Sequence, residues 1–339
     1  RELNNISESS ETKKLLTTEI YADNLDIPWE IVFLPNDGVL VTERPGRLVK
    51  IGEKNTYIDV PGVVHNGEGG LLGAVLHPDY ENNGFLYLYI TSEIDGSTIN
   101  RVERYVLNGK GLGEKVTIID SIPGASYHDG GRMEFGPDGY LYITTGDAGD
   151  KPSAQDLSSL AGKILRLKDD GTIPEDNPFG TAVYSYGHRN PQGLAWDDQG
   201  NLWSTEHGRS GNASGYDELN LIEKGKNYGW PEIQGDEEKE GMEKPVIHSG
   251  PSVTWAPAGL EFFNGKLYFA GLRGSALYEV SVEGKTVTSY EELLKGNYGR
   301  LRAVRKSSDG SLYITTSNRD GRGQVFDGDD KVILVNIEQ

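Results

Sequence analysis

Six times the chain closes a polar turn on glycine and then runs into a short β-prone stretch. Gly38 ends PNDG before VLVTE, Gly84 ends ENNG before FLYLYIT, and Gly139 ends GPDG before YLYITTGD. Gly200 ends DDQG before NLWSTEHG, Gly265 ends FFNG before KLYFAGLRG, and Gly310 ends SSDG before SLYITTS. Asp-Gly and Asn-Gly turns between alternating apolar residues are hairpin signals. The spacings are 46, 55, 61, 65 and 45 residues, and a four-stranded propeller blade takes about 40–50 residues before insertions.

Each unit repeats the same order. An apolar strand precedes the turn: WEIVFL, GAVLHP, RMEFG, GLAWD, GLEFF, RAVRK. A third candidate follows it: RLVKI, INRVERYVL, GKILRL, DELNLI, SALYEVSV, DKVILVNI. Five units add a fourth: TYIDV, KVTIID, AVYSY, KPVIHS, TVTSYEELL. The sixth unit lacks one, and the strand-like TTEIYADNL at 17–25 is spare. The expectation is an all-β, six-bladed β-propeller of four-stranded antiparallel blades, with the N-terminal strand pairing into the last blade so that no sheet edge is left open. A β-sandwich of evenly spaced hairpins is the alternative, but it does not require six aligned glycine turns. No long helix is expected, and DLSSLAGK (156–163) amounts to at most a helical turn.

Composition narrows the partners. The 339 residues include 52 Asp and Glu against 33 Lys and Arg, a formal net charge of −19. Nucleic-acid binding needs a basic footprint, and docking on anionic lipid needs basic clusters, so neither is expected. Without cysteine, disulfides, thiolate nucleophiles and Cys-ligated metals are excluded. No apolar run reaches the ~18 residues of a membrane-spanning helix. Residues 1–13 (RELNNISESSETK) read as a flexible polar tail, which fits the stub of a removed signal or lipid anchor and equally an arbitrary boundary of the sequence. Residues 14–339 are expected to form one propeller domain.

The polar motifs lie beside the strands. His128 in SYHDGGRMEFG stands next to glycines that let a ligand approach the backbone, and an imidazole suits a general base at neutral pH. A lone histidine is more often structural, and His65, His77, His188, His207 and His248 share that reading; His77 in LHPDY reads as turn chemistry. YGHRNPQGLAW sets Arg189, Asn190 and Gln192 at a strand start. They suit a flat, oxygen-rich ligand or simply a blade-connecting loop. TEHGRSGNASGYDELN mixes carboxylate, Gly and Asn as Ca²⁺ sites do, without the EF-hand pattern. In GRLRAVR, Arg300 and Arg302 share one strand face, which is costly unless an anion meets them or the face is solvated. Arg273 in LRGS ends another blade strand.

Taken together and in order, GEGGLLGAVLHPDY, HDGGRMEFGPDGYLYITTGDAG, GHRNPQGLAWD, TEHG with DELNLI, NYGWP, VTWAPAGLEF, LRGSALY and GRLRAVR resemble the soluble quinoprotein aldose sugar dehydrogenases, related to soluble glucose dehydrogenase. The resemblance runs from about residue 18 to 337. It implies a six-bladed propeller that uses pyrroloquinoline quinone (PQQ) and Ca²⁺ to oxidise aldoses at the anomeric carbon to lactones. By the same resemblance His128 is the base, and Arg189 polarises the accepting carbonyl beside Asn190. Arg300 and Arg302 hold quinone carboxylates and Arg273 meets the quinone. Trp255 supplies an aromatic wall, with Tyr228 near it. The carbonyls of Gly208 and Arg209 bind the catalytic Ca²⁺, and Glu206 and Tyr216 a second, structural one. The chain departs from the pattern at Glu68, a cofactor-contacting position where many relatives carry Gln, at Arg209, where Pro often follows the Gly, and at Ala148, where glucose dehydrogenase has a sugar-contacting Gln. The last departure implies an open, less discriminating sugar pocket.

The resemblance also implies an extracytoplasmic location, an aldose substrate, an electron acceptor of unspecified kind, and compatibility with a monomer. Two other functions are consistent with a propeller: a Ca²⁺-dependent lactonase, whose metal needs side-chain carboxylates and amides at the channel centre, and a non-catalytic protein-binding ring. Only the dehydrogenase requires His128, Arg189, Arg300 and Arg302 to converge.

Overall fold

A computed structural model describes residues 16–35, 38–210 and 214–337; the proposed tail at 1–13 lies outside them. The described strands form six antiparallel four-stranded sheets arranged as a six-bladed propeller. The innermost strands of blades 1 to 6 are Pro28–Phe33, Leu71–Leu76, Met133–Phe135, Pro191–Trp196, Pro257–Phe263 and Leu301–Lys306. Five of the six turn glycines (84, 139, 200, 265 and 310) have φ between +67° and +82°, the region that a side chain disfavours. Across these turns Phe135 pairs with Leu141, Trp196 with Leu202 and Lys306 with Leu312.

Strand alternation becomes blade packing. In Val39–Glu43, Leu40 enters a core shared with blade 2, while Val39 and Val41 enter one shared with blade 6. In Leu141–Thr145, Leu141 and Ile143 face blade 2 and Tyr142 faces blade 4. Each blade is covered on both faces, which is why these strands are buried along their whole length. Six apolar clusters, one per interface between adjacent blades, make up the core.

The spare N-terminal strand closes the ring. Leu16–Ala22 pairs antiparallel with Val332–Ile337, from Leu16 opposite Ile337 to Ala22 opposite Val332. Blade 6 is therefore built from both ends of the chain. A chain beginning at Asp23 is expected to melt at a lower temperature than the parent and to self-associate through the uncovered edge of Val332–Ile337. Differential scanning calorimetry and size-exclusion chromatography check this; an unchanged melting temperature would place the closure elsewhere.

One local expectation needs correction. The fourth strand of blade 4 shrinks to Ile247–His248, because Pro245 has no N–H to extend the ladder. DLSSLAGK forms turns, and the described helices are the single turns Tyr80–Asn83 and Lys151–Ala154. His77 does serve a turn, accepting the Asp79 N–H at Nδ1 (3.0 Å). No helix is long and apolar enough to cross a membrane among the described residues.

Candidate functional site

The segments that lead into the innermost strands meet at one end of the central channel. They enclose a cavity of about 860 Å³. His128, Arg189, Arg300 and Arg302 all line it, together with Glu68, Asn190, Arg273, Gly208 and Arg209. Further basic lining comes from Lys151 and Arg322, so a chain of net charge −19 presents a locally cationic hollow.

His128 is held in three ways. Its backbone is left-handed (φ +59°). Its N–H donates to Glu68 Oε2 at 3.0 Å, and its Nδ1 lies 2.7 Å from Asp147 Oδ1. A Cβ on Gly146 would sit 1.8 Å from the His128 carbonyl oxygen, so only glycine lets the Asp147 hairpin approach this closely. Asp147 also accepts the Gly149 N–H (2.8 Å) and the Trp230 indole N–H (2.9 Å). Burial pushes the Asp147 carboxyl up, but these bonds outweigh it and hold the group below its ordinary value. An ionised Asp147 takes a proton bond from Nδ1, which leaves Nε2 with the lone pair toward the cavity.

Glu68 is ionised. Burial would raise its carboxyl, yet the His128 N–H and Arg322 bring it down to about 2; the Arg322 Nη1 lies 2.6 Å from Oε1. Arg189 donates to the His207 carbonyl (3.3 Å) and Ser210 Oγ (2.9 Å). Asn190 Oδ1 accepts the Gly130 N–H at 3.0 Å, which steadies the loop behind His128. Arg273 reaches Ser214 Oγ at 3.1 Å.

The costly pair Arg300 and Arg302 meets an internal anion. Asp320 Oδ2 accepts from Arg300 Nε (2.9 Å) and Nη2 (2.8 Å) and lies 3.7 Å from Arg302 Nη2. Burial, with Arg44 adding repulsion, pushes the Arg302 guanidinium down to about 9. A buried cation in this condition would gain from a further anion in the cavity.

Two expected site residues sit elsewhere. Trp255 is 1% exposed and packs against Phe269 and Tyr278 in the interface of blades 4 and 5. Backbone alternation gives the cavity its neighbours Thr254 and Ala256 instead. Tyr228 stacks on His188 (4.8 Å, 18°) and donates its hydroxyl to the Leu221 carbonyl; the aromatic of this segment that lines the cavity is Trp230, two residues on, and Tyr127 lines it from the loop of His128. Sequence reasoning also passed over Asp147, Asp217, Asp320, Arg322 and the unusual state of His207. Asp217 accepts the N–H groups of Gly208, Trp255 and Ala256 at 2.7–2.9 Å, tying two site loops together. Burial lowers the His207 imidazole to about 3, and its buried Nε2 has no hydrogen-bond partner among the described residues.

Donors for cations lie alongside. Gly208 and Arg209 border both the main cavity and a second void of about 10 Å³, which Glu206, Tyr216 and Glu218 also line. Glu218 is pushed up to about 8 by burial and then by the charge of Glu206, the state of an acid pair short of a cation. The residues present thus fit both an anionic, flat ligand in the large cavity and an oxygen-ligated cation beside it. Among the described residues, no three His, Cys, Asp or Glu side chains are grouped to hold a metal by themselves.

Comparison with known proteins gives the family. The family described as Glucose / Sorbosone dehydrogenase matches residues 25–327. Aldose sugar dehydrogenase of Escherichia coli is 35% identical over 90% of this chain and 91% of its own length. The structure of the PQQ-bound form of aldose sugar dehydrogenase from Streptomyces coelicolor is 39% identical, with a TM-score of 0.89 over 96% of this chain and 99% of that one. Quinoprotein glucose dehydrogenase B of Acinetobacter calcoaceticus is 34% identical over 66% of this chain and 54% of its own length. On this sequence match and the shared fold, the chain belongs to the glucose/sorbosone dehydrogenase family.

Proposed function

We propose that this chain is a PQQ- and Ca²⁺-dependent aldose sugar dehydrogenase that oxidises the anomeric carbon to a lactone. The observation that carries the reading is the convergence of His128, Arg189, Arg300 and Arg302 on one cavity. Bound PQQ would supply the two-electron acceptor that takes hydride from the anomeric carbon, and Ca²⁺ a Lewis acid at its oxygen. Arg300 and Arg302 would hold its carboxylates, Arg189 with Asn190 its quinone edge, and Arg273 a further contact. His207 Nε2 is a buried polar atom in want of such a ligand. Carbonyls of Gly208 and Arg209 would bind the catalytic Ca²⁺, and Glu206 and Tyr216 the structural one.

His128 Nε2 takes the proton of the anomeric hydroxyl as the hydride departs. The imidazolium so formed is stabilised by Asp147 on Nδ1, as an oriented carboxylate does for a catalytic histidine. Ionised Glu68 adds a second negative group beside it. Ala148 presents only a methyl at the position next to Asp147, which leaves the sugar side open and suits a broad range of aldoses. An extracytoplasmic location accompanies this reading. A lactonase would need carboxylates and amides gathered on one metal, and it has no use for the arginines; a protein-binding ring has no use for the His128–Asp147 pair.

The test is reconstitution. Apoprotein with PQQ and Ca²⁺ is expected to reduce an artificial acceptor in the presence of aldoses. No turnover on any aldose would refute the dehydrogenase.

A further inference from the structure

Trp230 touches two parts of the proposed machinery at once. Its indole Nε1 donates to Asp147 Oδ2 at 2.9 Å, while Oδ1 of the same carboxylate receives His128 Nδ1 at 2.7 Å and the Gly149 N–H at 2.8 Å. The indole centroid lies 5.4 Å from the Arg189 guanidinium carbon and 5.4 Å from Lys151 Nζ. All of these side chains except Asp147 line the large cavity.

The tryptophan is itself rigidly placed. Its N–H donates to the Gly187 carbonyl (2.9 Å), and its carbonyl accepts Gln155 Nε2 (2.6 Å). The residue before it, Gly229, donates its N–H to Asn227 Oδ1 (2.9 Å), and Asn227 exchanges side-chain bonds with Gln155. The terminal torsion of an aspartate is soft, so donors on one oxygen alone leave its plane free to turn. A donor on each oxygen fixes that plane and, through it, the imidazole. The electron-rich indole face meanwhile attracts a guanidinium whose hydrogen-bond partners among the described residues are the His207 carbonyl and Ser210 Oγ.

We infer that Trp230 is a positioning residue with two separable jobs: its N–H orients Asp147 and so His128, and its ring holds Arg189 in the cavity wall. The inference rests on the roles proposed above for His128 and Arg189. It predicts that the two jobs come apart by substitution. Trp230→Phe keeps a ring and loses the N–H. It is expected to lower kcat about tenfold, with KM within about twofold and PQQ affinity within about threefold of the parent. Trp230→Leu loses both, so PQQ binding by the apoprotein, titrated by fluorescence, should also weaken about tenfold. In an Asp147→Asn background, Trp230→Phe should cost nothing further in kcat.

A readout in the apoprotein needs neither PQQ nor turnover. In ¹⁵N-histidine-labelled protein, the His128 Nδ1 proton signal should move in Trp230→Phe toward its position in Asp147→Asn. An unmoved signal in Trp230→Phe, multiplicative kcat losses with Asp147→Asn, or PQQ affinity equally reduced in the Phe and Leu variants would each overturn the inference. Circular dichroism establishes that each variant folds, and Trp230→Met replaces the Leu variant if that one does not. A parent protein that takes up no PQQ would overturn the proposed function, while the histidine signal still decides the positioning role.

Discussion

Replacing His128 by alanine is expected to lower kcat by about 10²–10⁴-fold, the range that removal of a general base produces, while PQQ still binds. The separation follows from geometry. The His128 ring is committed to Asp147 through Nδ1, and the cationic groups suited to carboxylates, Arg300 and Arg302, enter from blade 6, where Asp320 is their ion-pair partner. Steady-state kinetics on an aldose, with PQQ titration of the same preparation, checks both halves. Lost PQQ binding in a natively folded variant would make His128 a cofactor contact rather than a base.

The second large effect is on stability. Glu30 is fully buried in the central channel, where Oε1 and Oε2 accept from Arg305 Nε (2.9 Å) and Nη2 (2.8 Å), and Oε2 also pairs with Arg132 Nη1. Arg305 continues to Glu134 at 2.6 Å, and Arg132 Nε to the Gln192 carbonyl at 2.8 Å. Blades 1, 3, 4 and 6 are thereby joined across the axis by charge. Glu30→Gln leaves two buried guanidinium groups with one anion fewer, and removing one partner of a buried pair typically costs about 3–5 kcal/mol. Urea denaturation should show a loss of that order, whereas replacing Glu30, Arg132 and Arg305 together by apolar residues of similar size should cost far less. The pH dependence has a definite sign. Burial raises the Glu30 carboxyl, but Arg132 and Arg305 outweigh it and hold the group below its ordinary value. Its contribution is therefore present above the unfolded carboxylate range and lost as pH falls through the lowered folded value, and Glu30→Gln should flatten that acid loss. A single substitution within about 1 kcal/mol of the parent would show that the network contributes little.

The architecture was legible because its signals are local. A turn glycine and the alternation around it sit within ten residues of one another, and a strand left over at one end matched a strand missing at the other. The basic half of the site was legible for a related reason: His128, Arg189, Arg300 and Arg302 stand in short motifs at strand starts. Their acidic partners were not. Asp147 lies 19 residues from His128, and Asp320 lies 20 from Arg300; they meet only through hairpins and loops, and nothing local marks them among 52 acidic residues. Trp255 was assigned to the site by resemblance alone, and the irregular register between Pro257 and Leu260 leaves the apolar pattern unable to correct its phase. Within NYGWP the resemblance pointed to Tyr228, and a turn-rich segment offers no periodicity to show that Trp230, two residues on, is the ring that reaches the cavity.

The joining of Leu16–Ala22 to Val332–Ile337 sets a timetable for the protein's making. Leu16–Ala22 has no partner in its sheet until Val332–Ile337 has been made, so blade 6 cannot be completed while the stretch between them is still being synthesised. Contacts of such long sequence separation are formed late and slowly. Closure of the ring is thus a late step of folding, and the cavity that the six blades enclose is complete only once that step has occurred.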